Sequence, residues 1–216
     1  MEIYNKKKLD TKVEDLPFQD YFTTRYSITV RVKAQKTYDY AKKNGIPFFN
    51  LTVACIIETI NDIPEFKKRM INNSIYEYDK INALTPILLE DKTIKEIEIK
   101  PISEYLSFDE WNKDFQNKKK DNIYQYTIGP SQREELPVFI LSCMPWINFD
   151  SMTNVIPKAH QIMPAIFYGK LVDGKIPVLL SVNNNFIFGY QLKLFFEDLE
   201  KYLENPEIII KKYNNK

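Results

Sequence analysis

Histidine is nearly missing from this chain: His160 is the only one among 216 residues. A single imidazole excludes the multi-histidine clusters that hold zinc, and no acidic pair at ligand spacing replaces them, so no metal site is expected. Cysteine is as scarce, with only Cys55 and Cys143. Both sit in apolar runs, Val53-Ala54-Cys55-Ile56 and Leu141-Ser142-Cys143-Met144, which reads as two buried thiols rather than a disulfide framework. The chain has five glycines, no Gly/Ser linker and no internal repeat. One domain over residues 1–216 is therefore expected, with a polar tail at about 207–216. No apolar stretch approaches the roughly 20 residues of a membrane span. Residues Met1 to Lys8 lack the apolar core of a signal peptide, so a cytoplasmic protein is the expectation. Neither charge sign dominates: 30 basic and 29 acidic side chains leave a net charge of +1. That balance gives no electrostatic footprint for nucleic acid. The run Lys118-Lys119-Lys120 is followed at once by Asp121 and reads as a solvated helix end.

What is present is ordinary globular material, 44% hydrophobic and 27% charged. Leu51 to Asp62 carries Val53, Ile56, Ile57 and Ile60 at helical spacing, and Pro64 ends it. Ser107 and Glu110 form a capping-box pattern ahead of the stripe Phe108, Trp111, Phe115. Gln191 to Glu204 has one apolar face, closed by Asn205-Pro206. Ser27 to Val32 alternates as a strand, and Pro137 to Cys143 is a continuous apolar run, as in a strand buried on both faces. Ala165 to Val172 and Lys175 to Val182 flank Asp173-Gly174, a strong hairpin signal. Pro177 predicts an edge position or a bulge. Helices and strands mix along the chain, which predicts an α/β (α+β) two-layer sandwich with helices packed on a mixed sheet.

Three stretches resemble chloramphenicol acetyltransferases: Phe48 to Phe66, a helix closed by Pro64-Glu65-Phe66; Ser142-Cys143-Met144-Pro145-Trp146-Ile147-Asn148-Phe149-Asp150-Ser151; and Pro177 to Tyr202. The stretch from Ser142 to Ser151 is similar to the family's strand, Pro-Trp turn and Asn-Phe-Asp-Ser segment almost residue for residue. With the strands between, the resemblance covers roughly residues 20 to 205. It implies the chloramphenicol-acetyltransferase-like fold, a homotrimer with active sites at subunit boundaries, and acetyl-CoA as co-substrate. In that family a histidine of a His-His-x-x-x-Asp-Gly motif takes a proton from a hydroxyl of chloramphenicol, which receives the acetyl group. A serine near the Pro-Trp turn donates to the oxyanion, and the motif aspartate pairs with an arginine near the N-terminus.

This chain departs from the pattern. The motif falls on Asn183 to Gly189: Asn184 takes the place of the catalytic histidine, Phe188 that of the aspartate, and only Gly189 survives. The early arginine has no counterpart in Thr11 to Tyr21; Arg25 is the nearest. Ser142 matches the oxyanion serine, or is a strand serine bonded to nearby backbone. Phe167 replaces a family threonine that holds a water on the intermediate. The resemblance puts the acceptor pocket at Phe22, Tyr26 and Met152, with Phe18 and Tyr21 beside it, open to a small apolar or aromatic ligand at the subunit interface; ordinary core packing is the other reading of these aromatics. No short signature marks the coenzyme tunnel, so its residues stay unassigned. A carboxamide has no proton-accepting pKa near neutrality, and an alcohol without a base is a weak nucleophile. The first expectation is a family member with lost or strongly impaired transfer, serving as a ligand-binding or assembly protein. The second is an active O-acyltransferase on another acceptor, its base re-sited to His160, which otherwise reads as an exposed or structural histidine, or to a neighbouring subunit. A third is an acyltransferase core of the dihydrolipoamide type, which uses the same histidine motif.

Overall fold

A computed structural model describes residues 4–18, 20–120, 135–155 and 161–214. Among these described residues nine strands and five α-helices follow in the order β1 Lys6–Lys12, β2 Arg25–Lys33, α1 Gln35–Asn44, α2 Phe48–Asp62, β3 Lys68–Ile71, β4 Ser74–Tyr78, β5 Asn82–Leu88, β6 Ile94–Ile99, α3 Phe108–Lys120, β7 Val138–Met144, β8 Ala165–Gly169, β9 Lys175–Asn183, α4 Gly189–Glu204 and α5 Glu207–Asn214. A six-stranded sheet runs β2-β9-β8-β7-β5-β6, and a three-stranded sheet runs β1-β4-β3. The pairs β5–β7 and β7–β8 are parallel, and the other pairs in the large sheet are antiparallel. This is the mixed α/β architecture that the periodicities predict.

The helix α2 explains the core. Residues Asn50 to Ile60 are all buried, so it is covered on every side rather than on one stripe. Its contacts run to α1 and α4, and its end follows from Ile63-Pro64, because a residue before proline leaves the helical region. The stripe of α3 is buried as its spacing predicts, and the Trp111 indole donates to the Lys100 carbonyl at 2.9 Å. Ser107 Oγ accepts the Glu110 amide at 3.2 Å, which caps α3. Asp173 and Gly174 have φ of 49° and 74°, as a two-residue type I′ turn requires.

Three expectations change. Pro177 lies in the interior strand β9, not at an edge. The β8–β9 ladder stops at Tyr168↔Val178, so no donor is asked of Pro177 on that side. The expected polar tail contains α5, whose Ile209 and Tyr213 are buried. It docks because the Tyr213 hydroxyl and the Lys212 ammonium both donate to Glu58 Oε2, at 2.6 and 3.0 Å. The triple-lysine run is not uniformly solvated. Lys119 continues the stripe of Phe115 at i+4 and lies over that ring, 5.1 Å from its centre.

Candidate functional site

The parallel strands β5, β7 and β8 point the same way, so their carboxyl ends meet at one edge of the sheet. Ligand crevices of open α/β sheets lie outside such ends. A cavity of about 860 Å³ stands there. Pro86 and Leu88 of β5 form one wall, Ser142 to Trp146 another, and Tyr168 to Leu171 a third. Phe48 and Phe49, at the start of α2, and Lys119, at the end of α3, complete it. Gly169 is required by close approach: a Cβ there would lie 2.5 Å from the Ile147 carbonyl oxygen.

Few polar atoms interrupt these apolar walls. Ser142 follows Leu141 on β7, whose side chain is buried in the core, so the serine faces the other side of the sheet. Its hydroxyl makes no hydrogen bond among the described residues, so the reading of a serine tied to nearby backbone does not hold there. The Tyr168 hydroxyl is fully buried and also without a partner among them. Burial raises its pKa well above the usual phenol value. Burial also pushes the neighbouring Cys143 thiol up to about 11, so it is protonated at neutral pH. Lys119 goes the other way, its pKa lowered by burial and by Lys120. Sequence reasoning placed Lys119 in a solvated run and passed over Tyr168. The usable signal for the lysine was its place on the stripe of Phe115; the tyrosine, inside an apolar run, had none.

The remaining sequence-derived residues are dispersed. Phe167 pairs with Ser142 across β7–β8 and shares its face, half-buried, in the row Ser142–Phe167–Leu179–Thr29. Asn184 lies beyond the end of β9. Two strand spacings and five residues separate it from Ser142, about 19 Å within one chain. Of the three asparagines, two close the turn. Asn183 is buried, its Nδ2 donating to Thr24 Oγ1 and its Oδ1 accepting the Asn185 amide, each at 2.8 Å. Asn185 Oδ1 accepts the Phe18 amide at 3.1 Å. The Asn184 carboxamide is half-exposed and makes no hydrogen bond among the described residues, while its backbone amide donates to Thr24 O at 2.8 Å. Phe188 caps α4, its amide donating to Gln191 Oε1 at 3.1 Å, with its ring partly in solvent. Arg25 is buried: Nη1 donates to the carbonyls of Gln161 and Met163, and Nη2 to the carbonyl and hydroxyl of Ser181.

None of Phe22, Tyr26 and Met152 lines the Ser142 cavity. Phe22 is 92% exposed. Tyr26 turns to the helix side, where its hydroxyl donates to Ile187 O at 2.9 Å. Met152 is half-buried in the stretch after the Pro-Trp turn. His160 lies outside the described residues. Among the described residues no group of three or more His, Cys, Asp and Glu converges as a metal site would need, and no helix is long and apolar enough to cross a membrane.

A family model of chloramphenicol acetyltransferase matches residues 7–214. The chain belongs to the chloramphenicol acetyltransferase family. A Staphylococcus aureus chloramphenicol acetyltransferase is 26% identical over 213 residues, covering 94% of this chain and 98% of its own. Among solved structures, a chloramphenicol acetyltransferase superposes with a TM-score of 0.78 at 22% identity, over 91% of this chain and all of that one. A dihydrolipoamide acetyltransferase (E2p) of Azotobacter vinelandii shares the fold at a TM-score of 0.64 and 12% identity, over 87% of this chain and 84% of that one. That structure concerns the roles of one serine, one histidine and one asparagine in its catalytic mechanism.

Proposed function

We propose that this family member binds an acyl-coenzyme A in the Ser142 cavity but transfers the acyl group to a hydroxyl very slowly or not at all. The observation that carries the reading is Asn184, a half-exposed carboxamide with no hydrogen-bonding partner among the described residues, where the family has its base. An amide takes no proton from an alcohol, and a positioned base contributes about 10²–10⁴ in rate. Phe188 removes the carboxylate that supports the motif, and Phe167 stands beside Ser142 in place of a hydroxyl.

The residues present fit the co-substrate. The cavity volume lies within the usual range for small-molecule sites, its walls are mainly apolar, and the exposed Lys170 offers positive charge. The bound thioester supplies an activated acyl carbon. The unengaged Ser142 hydroxyl suits a donor to its oxygen. Assembly belongs to the same proposal, as a homotrimer. Since Asn184 and Ser142 are about 19 Å apart in one chain, a site containing both needs two copies. Exposed aromatics occur near both ends, Phe22 and Tyr190 toward the asparagine turn and Trp146 beside Ser142. A contact joining unlike patches closes into a ring, as a trimer does. Two free thiols accord with a reducing compartment and so with the cytoplasmic placement.

The test mixes purified protein with acetyl-CoA and chloramphenicol and follows thiol release. Turnover should fall about 10²–10⁴-fold below that of a Staphylococcus relative carrying the family histidine. Turnover matching the relative's, and lost in His160→Ala, refutes the reading in favour of a re-sited base.

A further inference from the structure

We propose that Lys119 is itself the acyl acceptor of this cavity, so that the chain acylates its own α3 helix from a bound acyl thioester. The inference rests on the reading of the cavity as an acyl-coenzyme A site. Three residues with nucleophilic side chains line that space: Ser142, Cys143 and Lys119. The alcohol has no base, and burial holds the thiol in its protonated form. The amine needs neither base nor thiolate once it has lost its proton.

The surroundings of Lys119 favour that loss. Its Nζ donates to Asn50 Oδ1 at 2.7 Å, a neutral acceptor. The Asn50 amide is held in that orientation because its Nδ2 donates to Asn112 Oδ1 at 2.8 Å. Nζ lies 5.4 and 5.1 Å from the ring centres of Phe49 and Phe115. No carboxylate pairs with it among the described residues, unlike Lys118 on the same turn, which pairs with Asp114 at 3.0 Å. Desolvation without a counter-charge disfavours the ammonium, which accords with the lowered pKa. A lysine desolvated in an apolar pocket is a recurrent activated nucleophile.

The step balances. The ammonium gives its proton to solvent, and the free amine attacks the thioester carbonyl carbon. The carbon–nitrogen bond forms and the carbon–sulfur bond breaks. The departing thiolate takes up a proton to leave as the free coenzyme thiol. The nitrogen loses its second proton and becomes an amide N–H, which still donates to Asn50 Oδ1. Lys119 thereby loses its charge and carries the acyl group within the cavity.

The experiment incubates the intact protein with acetyl-CoA, weighs it by mass spectrometry and maps the modified peptide. Coenzyme A binding is measured separately by calorimetry. The expected result is one acetyl mass per chain at Lys119, at a rate that saturates with acetyl-CoA and exceeds that at the exposed Lys170 by at least about tenfold. Lys119→Arg should keep coenzyme binding and lose the modification. Binding without faster acylation at Lys119 than at Lys170 overturns the inference and leaves the cavity reading intact. The same saturable uptake in Lys119→Arg also overturns it. No coenzyme binding at all overturns both.

Discussion

Gly169→Ala should destabilise the protein and disturb the cavity at once. The added Cβ would lie 2.5 Å from the Ile147 carbonyl oxygen, 2.8 Å from Pro177 Cγ and 2.9 Å from Phe149 Cε1. Comfortable separations are about 3.5 Å, so the Ile147 carbonyl must retreat by roughly 1 Å. That carbonyl accepts the Lys170 amide at 2.8 Å, and the retreat breaks the bond. Overpacking costs about 1–3 kcal/mol and a lost hydrogen bond about 1 kcal/mol more, together about 2–4 kcal/mol. For a chain of this length each kcal/mol lowers Tm by about 2–4 °C, which gives a fall of roughly 4–16 °C. Calorimetric melting of the two proteins measures it. A coenzyme titration followed through Trp146, on the cavity wall, should show weakened binding. A Tm unchanged within error would falsify the claim that backbone crowding selects glycine here.

Four further outcomes follow from the same structure. Asn184→His with Phe188→Asp and Phe167→Thr should raise chloramphenicol acetylation about 10²-fold or more; unchanged turnover counts against the trimeric site. Tyr168→Phe removes a buried hydroxyl with no partner among the described residues and should raise stability by about 1 kcal/mol; a lower Tm refutes this. Glu58 is raised above 4.5 in the folded chain, burial outweighing Tyr213 and Lys212. A folded acid with a raised pKa binds more protons than the unfolded one, so its share of stability falls as pH rises from about 4.5 through the folded pKa. Glu58→Gln should flatten that slope in pH-dependent urea unfolding, and an unchanged slope refutes the assignment. Gly189→Ala, with open space around its Cβ and no left-handed φ, should be neutral or stabilise by about 0.4–1 kcal/mol. Loss of stability there in urea titration refutes that estimate.

Local pattern and local chemistry were legible along the chain. The stripe of α3, the Asp173-Gly174 turn and the apolar run of β7 each express a rule that acts over a few residues, and each formed as read. The proposed departure at Asn184 was read from residue types alone, because a carboxamide differs from an imidazole without any coordinates. The tail was misread because Lys211, Lys212 and Asn214 dominate its composition, while its fate depends on Ile209, Tyr213 and a buried Glu58 far away in sequence. Lys119 was misread for the same reason: a charge run is solvated by default, and only Phe49 and Asn50 of another helix cover this member of it.

The sequence by itself determined the family and the element types, since periodicity and side-chain chemistry are properties of residues and their near neighbours. Tertiary structure alone decided that the carboxyl ends of β5, β7 and β8 enclose a cavity around Ser142, and that Asn184 stands about 19 Å from it in the same chain. Strand order and register set those distances, and they come from pairings between segments up to dozens of residues apart, which no local pattern encodes.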